Sequence, residues 1–379
     1  MRVKVLILTE YFYPSKRGGG PVQSIINLID NLSEYVDFYV ITSIFDLGVN
    51  EPYNDLVSDQ WVSLEKCKIY YTDINNLTIR RLKKIIGSEK FDVAYVNFFF
   101  SLNLIWLVLI YKLKISKIEK IIIAPRGQFS KGALFLKNKL KLMFLFIFKV
   151  ISFHTEIFWH STSKTESEDV YRTLGRNITL FEIENFTENY KDIQHRSIHK
   201  DSGSVEFVFV SRIHPKKNLL KAIEYLKEID GNIVFDIYGP IEDKIYWKRC
   251  EASILKMPSN IKVSYKGLVD HENVINTFMK YHFFLFPTLG ENFGHVISEA
   301  LIAGCPVILS DQTPWLGLND INAGWDINLE EDKKFIEVIR ECVEMNDPVY
   351  QGKSLSAFNL AFQSSKNNEN IKHYISMFS

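Results

Sequence analysis

The chain has 379 residues, 46% of them hydrophobic and 24% charged, and its 45 Lys and Arg balance 45 Asp and Glu. That length implies two to three domains with ample core, and the composition excludes disorder and fibrous repeats. A formal net charge of zero and a pI of about 7.1 argue against a nucleic-acid binder that rests on bulk positive charge. Cys67, Cys250, Cys305 and Cys342 lie far apart with no CxxC pair, so neither a zinc site nor a disulfide framework is expected, and a reducing cytosolic compartment fits.

In chain order, the apolar run Val3–Leu8, broken by Lys4, lacks the h-region of a signal peptide, and a first β-strand is expected at Val3–Thr9. Pro21–Tyr35 repeats Val22, Ile25, Ile29 and Leu32 at helical spacing behind a proline suited to a first turn. Further strands are expected at Val36–Thr42, Phe91–Asn97, Lys120–Ala124, Glu156–His160 and Thr179–Ile183. The second half adds Val205–Ser211, Ile233–Gly239, Ile261–Tyr265, His282–Pro287 and Cys305–Ser310. Two stretches are oilier, Phe98–Tyr111 and Leu140–Phe153, yet neither reaches the roughly twenty apolar residues of a membrane-spanning helix. The lysine-studded run Lys137–Phe153 fits either a core helix or a surface that leans on anionic lipid.

Alternation of strands with helices predicts an α/β fold with parallel, doubly wound sheets. The pattern breaks at Asn185–Ser204, which is polar and without apolar periodicity. It divides the chain into a Rossmann-like domain over residues 1–185, a linker at 186–203, a second Rossmann-like domain at 204–357 and C-terminal helices at 358–379 that cross back to the first domain. Two such domains facing each other would make a cleft at the carboxyl ends of their strands, where these sheets bind ligands.

Several loops carry chemistry. After the first strand, Arg17-Gly18-Gly19-Gly20-Pro21 lets backbone approach a ligand ahead of a helix N-terminus, although a plain mobile loop fits equally. Gly127–Gly132 has Walker A spacing, but Ala133 stands where lysine is required. The strand Val205–Ser211 runs into Arg212 and then Lys217, a guanidinium fork and a mobile ammonium suited to phosphates. Within Pro287–Trp315, a loop with Gly290, Glu291, Asn292 and Phe293 leads into a helix near Gly294, and Glu299 follows Glu291 by eight positions. A helix N-terminus beside such a loop suits a diphosphate. Taken alone, a Glu-x7-Glu spacing equally fits a capped surface helix with two solvated carboxylates. No Asp-x-Asp occurs, so the usual carboxylate pair for a metal–nucleotide complex is missing.

The run from Pro287 through Glu291-Asn292-Phe293-Gly294 and Glu299-Ala300 to Ala303-Gly304-Cys305-Pro306-Val307, with Arg212 and Lys217 upstream, resembles the donor core of retaining GT-B glycosyltransferases of family 4. Ala124-Pro125-Arg126-Gly127 and Ser310–Trp315 resemble a subset that builds bacterial surface polysaccharide. The resemblance implies the GT-B fold, two Rossmann-like domains around a cleft, and transfer of a sugar from a nucleotide-sugar to a hydroxyl with retention. It assigns Glu291, Arg212 and Lys217 to catalysis. Donor binding would involve those three together with Gly19, Gly20, Gly267, Leu268, Asn292, Phe293, Gly294, His295, Val296 and Glu299, the last at the ribose. Asn97 and Arg126 are candidate sugar or acceptor contacts. Asn292 and His295 depart from the family's usual Gly and Leu, and the His295 imidazole is given no role. No cofactor and no metal are expected; a donor phosphate oxygen takes the acceptor proton, so no protein base is named. The implied partners are a nucleotide-sugar, UDP rather than GDP, and a lipid-linked oligosaccharide, with peripheral contact at the cytoplasmic membrane face. A GDP-mannose-type donor, a GT-B nucleotide-sugar epimerase and a binding-only protein are the alternatives.

Overall fold

The computed structural model describes every residue except 1, 16, 88, 131–132, 135–137, 151–156, 189, 191–192 and 367. Two compact units divide it, Met1–Phe186 with Asn367–Ser379, and Thr187–Lys366.

The first unit is built on eight strands: β1 (Val3–Leu8), β2 (Val36–Ser43), β3 (Trp61–Ser63), β4 (Cys67–Thr72), β5 (Lys90–Val96), β6 (Lys117–Ile123), β7 (Phe158–Ser161) and β8 (Thr179–Glu182). They form one sheet in the order β3-β4-β2-β1-β5-β6-β7-β8, parallel except for the β3–β4 pair. Helices cover both faces, which is why β1 reads as a nearly continuous apolar run and β6 ends in the buried triplet Ile121-Ile122-Ile123. Period-two alternation splits their side chains. Val5 and Ile7 pack with Ile25, Leu28 and Ile29 of the helix Gly20–Leu32 and with Tyr374, Met377 and Phe378 of the last helix, Asn368–Phe378. Leu6 and Leu8 pack on the other face with Leu104, Leu107 and Val108. The oily stretch Phe98–Tyr111 is thus largely a core helix, Leu102–Lys112.

The second oily stretch forms the helix Asn138–Val150, with Leu145 and Phe148 buried; residues 137 and 151–153 of that run lie outside the described residues. Among the described residues, no helix is long and apolar enough to cross a membrane.

The second unit has six parallel strands, β9 (Ser204–Val210), β10 (Asn232–Tyr238), β11 (Ile261–Gly267), β12 (Phe283–Phe286), β13 (Val307–Ser310) and β14 (Gly324–Ile327), in the order β11-β10-β9-β12-β13-β14. Its core centres on Phe207, Phe209, Phe235, Phe283 and Phe284. The polar stretch before β9 has no described helix or strand, yet it is anchored on this unit. Lys200 is fully buried, and its Nζ donates to the carbonyls of Asp201 (2.9 Å), Val343 (3.1 Å) and Met345 (3.1 Å). The last two sit at the end of the helix Asp332–Glu344, where carbonyls lack intrahelical partners and the dipole is negative.

Candidate functional site

In the six-stranded sheet, β9 is flanked by β10 on one side and β12 on the other. The chain winds outward from β9 through β10 to β11 and then crosses back to β12. The loops leaving β9 and β12 therefore diverge, and an open α/β sheet binds ligands at such a switch point. These two loops are the ones that carry Arg212–Asn218 and Pro287–Gly294. Folding thus joins motifs that are some seventy positions apart. The Lys217 Nζ makes an ion pair with Glu291 Oε1, the two side chains being only 12% and 13% exposed. The ammonium also lies 5.6 Å from the Phe286 ring centroid. Backbone ties hold the loops in register: Leu289 N–H donates to the Lys216 carbonyl at 2.8 Å, and Asn218 Nδ2 to the Pro287 carbonyl at 2.9 Å. Asn218 takes a left-handed conformation (φ 58°), which asparagine tolerates better than most residues. Arg212, by contrast, is at the surface and pairs with Glu242 at 2.7 Å, with both side chains more than 40% exposed. Such a pair is worth only about 0–1 kcal/mol, so an incoming anion displaces it cheaply.

The helix that follows, His295–Ile302, begins at Gly294, which is left-handed (φ 78°) and offers no side-chain cap. A Cβ at that position would come within 2.7 Å of Ile297 Cδ1. The helix start therefore presents backbone to whatever lies beside it. The preceding loop is braced from behind by Ser310–Trp315. Glu291 N–H donates to the Gln312 carbonyl at 2.9 Å, Trp315 Nε1 to the Phe293 carbonyl at 2.8 Å, and Ser310 Oγ to the Thr288 carbonyl. The Phe293 ring meets the Trp315 ring edge-on at 6.2 Å and lies 4.7 Å from the His295 ring.

Glu299 sits on this helix, partly buried. Loss of hydration pushes its carboxyl up to about 7; the Glu188 charge adds to the rise and His271 opposes it. Neither Glu188 nor His271 carries a local signal in the sequence, since both reach Glu299 only through tertiary folding. At the ends of β10 and β11, Gly239 N–H donates to the Gly267 carbonyl at 2.8 Å, and a Cβ on Gly239 would fall 1.9 Å from the Ser211 carbonyl oxygen. Glycine is obligatory at 239, and three adjacent strand ends lie close together there. Leu268 just beyond is 61% exposed.

In the first unit the corresponding switch point lies between β1 and β5, because β1 pairs with β2 on one side and β5 on the other. Gly19 precedes the helix Gly20–Leu32 with no side-chain cap, and Asn97 follows β5. Asn97 joins the candidates of this unit. Its Nδ2 donates to the Pro21 carbonyl (3.3 Å) and its Oδ1 accepts from Arg126 Nε (2.5 Å). Arg126 also donates to Asn185 Oδ1 and to the Tyr95 hydroxyl, each at 2.7 Å. Tyr95 in turn hydrogen-bonds His160 Nδ1 at 2.7 Å, while His160 Nε2 faces the Ile183 carbonyl at 2.9 Å. Burial, aided by the Arg126 charge, drives the His160 imidazole down to about 3. It is therefore neutral, with Nε2–H donating to Ile183 and Nδ1 accepting from Tyr95. Arg126 is held by neutral oxygens through a chain the sequence does not reveal.

The two-domain α/β fold with parallel sheets matches GT-B glycosyltransferase structures. Anabaena Alr3699/HepE, solved with UDP and glucose, aligns at a TM-score of 0.69 with 14% identity over 99% of both chains. The sucrose-phosphate synthase of Thermosynechococcus elongatus aligns at 0.74 with 14% identity over 99% of this chain and 98% of that one. A mutant of S. aureus TarM, solved with UDP among its ligands, aligns at 0.71 with 12% identity over 100% of both. Residues 191–347, which lie within the second unit, match the family described as "Glycosyl transferases group 1". No curated protein matches the chain.

Proposed function

We propose that the protein is a retaining, metal-independent glycosyltransferase. It moves a sugar from a UDP-sugar to a hydroxyl of a lipid-linked glycan, in bacterial surface-polysaccharide synthesis at the cytoplasmic membrane face. The observation that carries this reading is the largely buried Lys217–Glu291 pair at the switch point of the second sheet. The group 1 match over the same unit supports it, and UDP is named for two of the structural neighbours. The bacterial role and the lipid-linked acceptor rest on the sequence resemblance alone.

The ion pair holds Lys217 in place before donor arrives. A diphosphate, with more charge than a carboxylate, draws Lys217 from Glu291 and Arg212 from Glu242. Glu291 is then released to accept a hydrogen bond from a sugar hydroxyl. The backbone from Asn292 to Val296 adds helix-terminus stabilisation as charge builds on the leaving diphosphate. These protein cations do the work often given to a divalent ion. Glu299 takes the ribose hydroxyls, and the backbone at Gly267 and Leu268 borders the base. From the first unit, Gly19 and Gly20 are assigned to the donor phosphates, and Asn97 and Arg126 to the sugar or acceptor. A donor phosphate oxygen receives the acceptor proton.

The test is a set of melting curves with UDP, GDP and ADP, each with EDTA or magnesium, on wild type and Arg212→Ala. UDP at about 100 times its dissociation constant stabilises by about 2.7 kcal/mol. The expected shift is specific to UDP, survives EDTA and is lost in the variant. No shift with any nucleotide refutes the donor site; a shift that requires magnesium refutes metal independence.

A further inference from the structure

The helix Asn138–Val150 presents its apolar side to solvent. Leu145 and Phe148 are buried, whereas Leu140 is 66% exposed, Met143 56%, Phe146 68% and Ile147 50%. Leu102, 65% exposed at the start of a neighbouring helix, lines a hollow together with Leu140 and Phe144 and so extends the patch. Surface helices of soluble proteins show polar residues there, and contiguous exposed apolar patches mark interaction sites. Charge identifies the occupant. In a chain of zero net charge, the 36 positions between Glu119 and Glu156 contain seven Lys or Arg and no Asp or Glu. On the helix itself, Lys139 and Lys149 are exposed at the two ends of the apolar face.

From this pairing we propose that the helix lies in the plane of an anionic lipid surface. Phe146 and Met143 enter the acyl boundary while the flanking lysines meet the phosphates. The helix is about 20 Å long at 1.5 Å per residue, enough to lie on a bilayer and too short to cross it. Burial against a second copy would press one acid-free basic segment against another, an unfavourable juxtaposition. The inference gives physical form to the proposed membrane-face acceptor, yet it stands on unit 1 surface chemistry and not on the donor site.

The experiment is flotation of the full chain with vesicles of phosphatidylcholine alone, or of an equimolar phosphatidylcholine–phosphatidylglycerol mixture. Wild type should bind the mixed vesicles at least about tenfold more strongly than the neutral ones, and added salt should erase the difference. Met143→Glu/Phe146→Glu should abolish binding to both, and Lys139→Glu/Lys149→Glu should reduce the mixed-vesicle binding to the neutral level. Unchanged melting temperatures verify that the variants fold, and the UDP shift, read in parallel, separates failure here from failure of the donor site. The proposal is overturned if wild type floats with neither vesicle, if Met143→Glu/Phe146→Glu still floats, or if Lys139→Glu/Lys149→Glu keeps the wild-type preference for mixed vesicles. It is also overturned if sedimentation velocity shows that Phe146→Glu converts a dimer to a monomer without any lipid binding.

Discussion

Glu299→Gln isolates the cost of holding a carboxylate midway along the helix His295–Ile302. In the folded protein this carboxyl is raised from 4.5 to about 7, chiefly by loss of hydration. At about 1.4 kcal/mol per pH unit, the charged form costs the folded state about 3 kcal/mol. Between pH 4.5 and 7 the unfolded chain ionises Glu299 first and so binds fewer protons than the native one. Stability due to this residue is therefore full below pH 4.5 and lost as pH rises through 7. The amide is nearly isosteric and never charges. At pH 8 the variant should be more stable by up to about 3 kcal/mol, and at pH 4.5 the two proteins should coincide. For a unit of this size that gain corresponds to a melting shift of roughly 6–12 °C.

The difference between variant and wild type is the observable to follow. Buried His160, driven down to about 3, and His282, driven down to about 4, both make the native state lose stability as pH falls, and they cancel only in the difference. Scanning calorimetry at half-unit intervals supplies it. A pH-independent difference, or a variant less stable than wild type at pH 8, refutes the buried-charge argument. The functional side runs the other way. If ribose hydroxyls donate to the carboxylate, UDP binding near pH 7 releases a proton from wild type and none from the variant, which titration calorimetry in buffers of different ionisation enthalpy detects.

Two further outcomes follow from contacts described above. Trp315→Phe removes the indole donor to the Phe293 carbonyl, so it should cost about 1 kcal/mol of loop order and weaken UDP binding several-fold while the melting temperature of the free protein barely moves. Lys200→Met strips the shared partner from three carbonyls and should lower stability on the order of 3 kcal/mol, read as a reduced urea midpoint, with the Kd for UDP unchanged.

Each strand expected from apolar runs is present, with described ends shifted by at most three residues; Glu156, the start expected for β7, lies outside the described residues. The strands left unread are instructive. Cys67–Thr72 alternates Cys67, Ile69 and Tyr71 inward, but Lys68 and a short length blur the pattern, and Gly324–Ile327 is only four residues long. The motifs proposed as the donor site were legible because each is contiguous: strand end, loop and helix start succeed one another along the chain. The Lys217–Glu291 pair, the Arg212–Glu242 pair and the Glu188 and His271 charges around Glu299 were not, because strand order alone brings them together. Arg126 shows the same limit. Its sequence context marks a loop at a strand end, whereas its hydrogen bonds to Tyr95, Asn97 and Asn185 depend on β5, β6 and the chain after β8 meeting in space.

The acid-free segment makes the protein's overall neutrality a poor guide to its behaviour. With seven positive charges gathered between Glu119 and Glu156, the remainder of the chain carries 38 basic and 45 acidic residues, an excess of seven negative charges. A chain so divided keeps a concentrated run of positive charge even at its isoelectric point. At low ionic strength it should adhere to cation-exchange and anion-exchange resins alike, and near a charged interface it is turned before it touches.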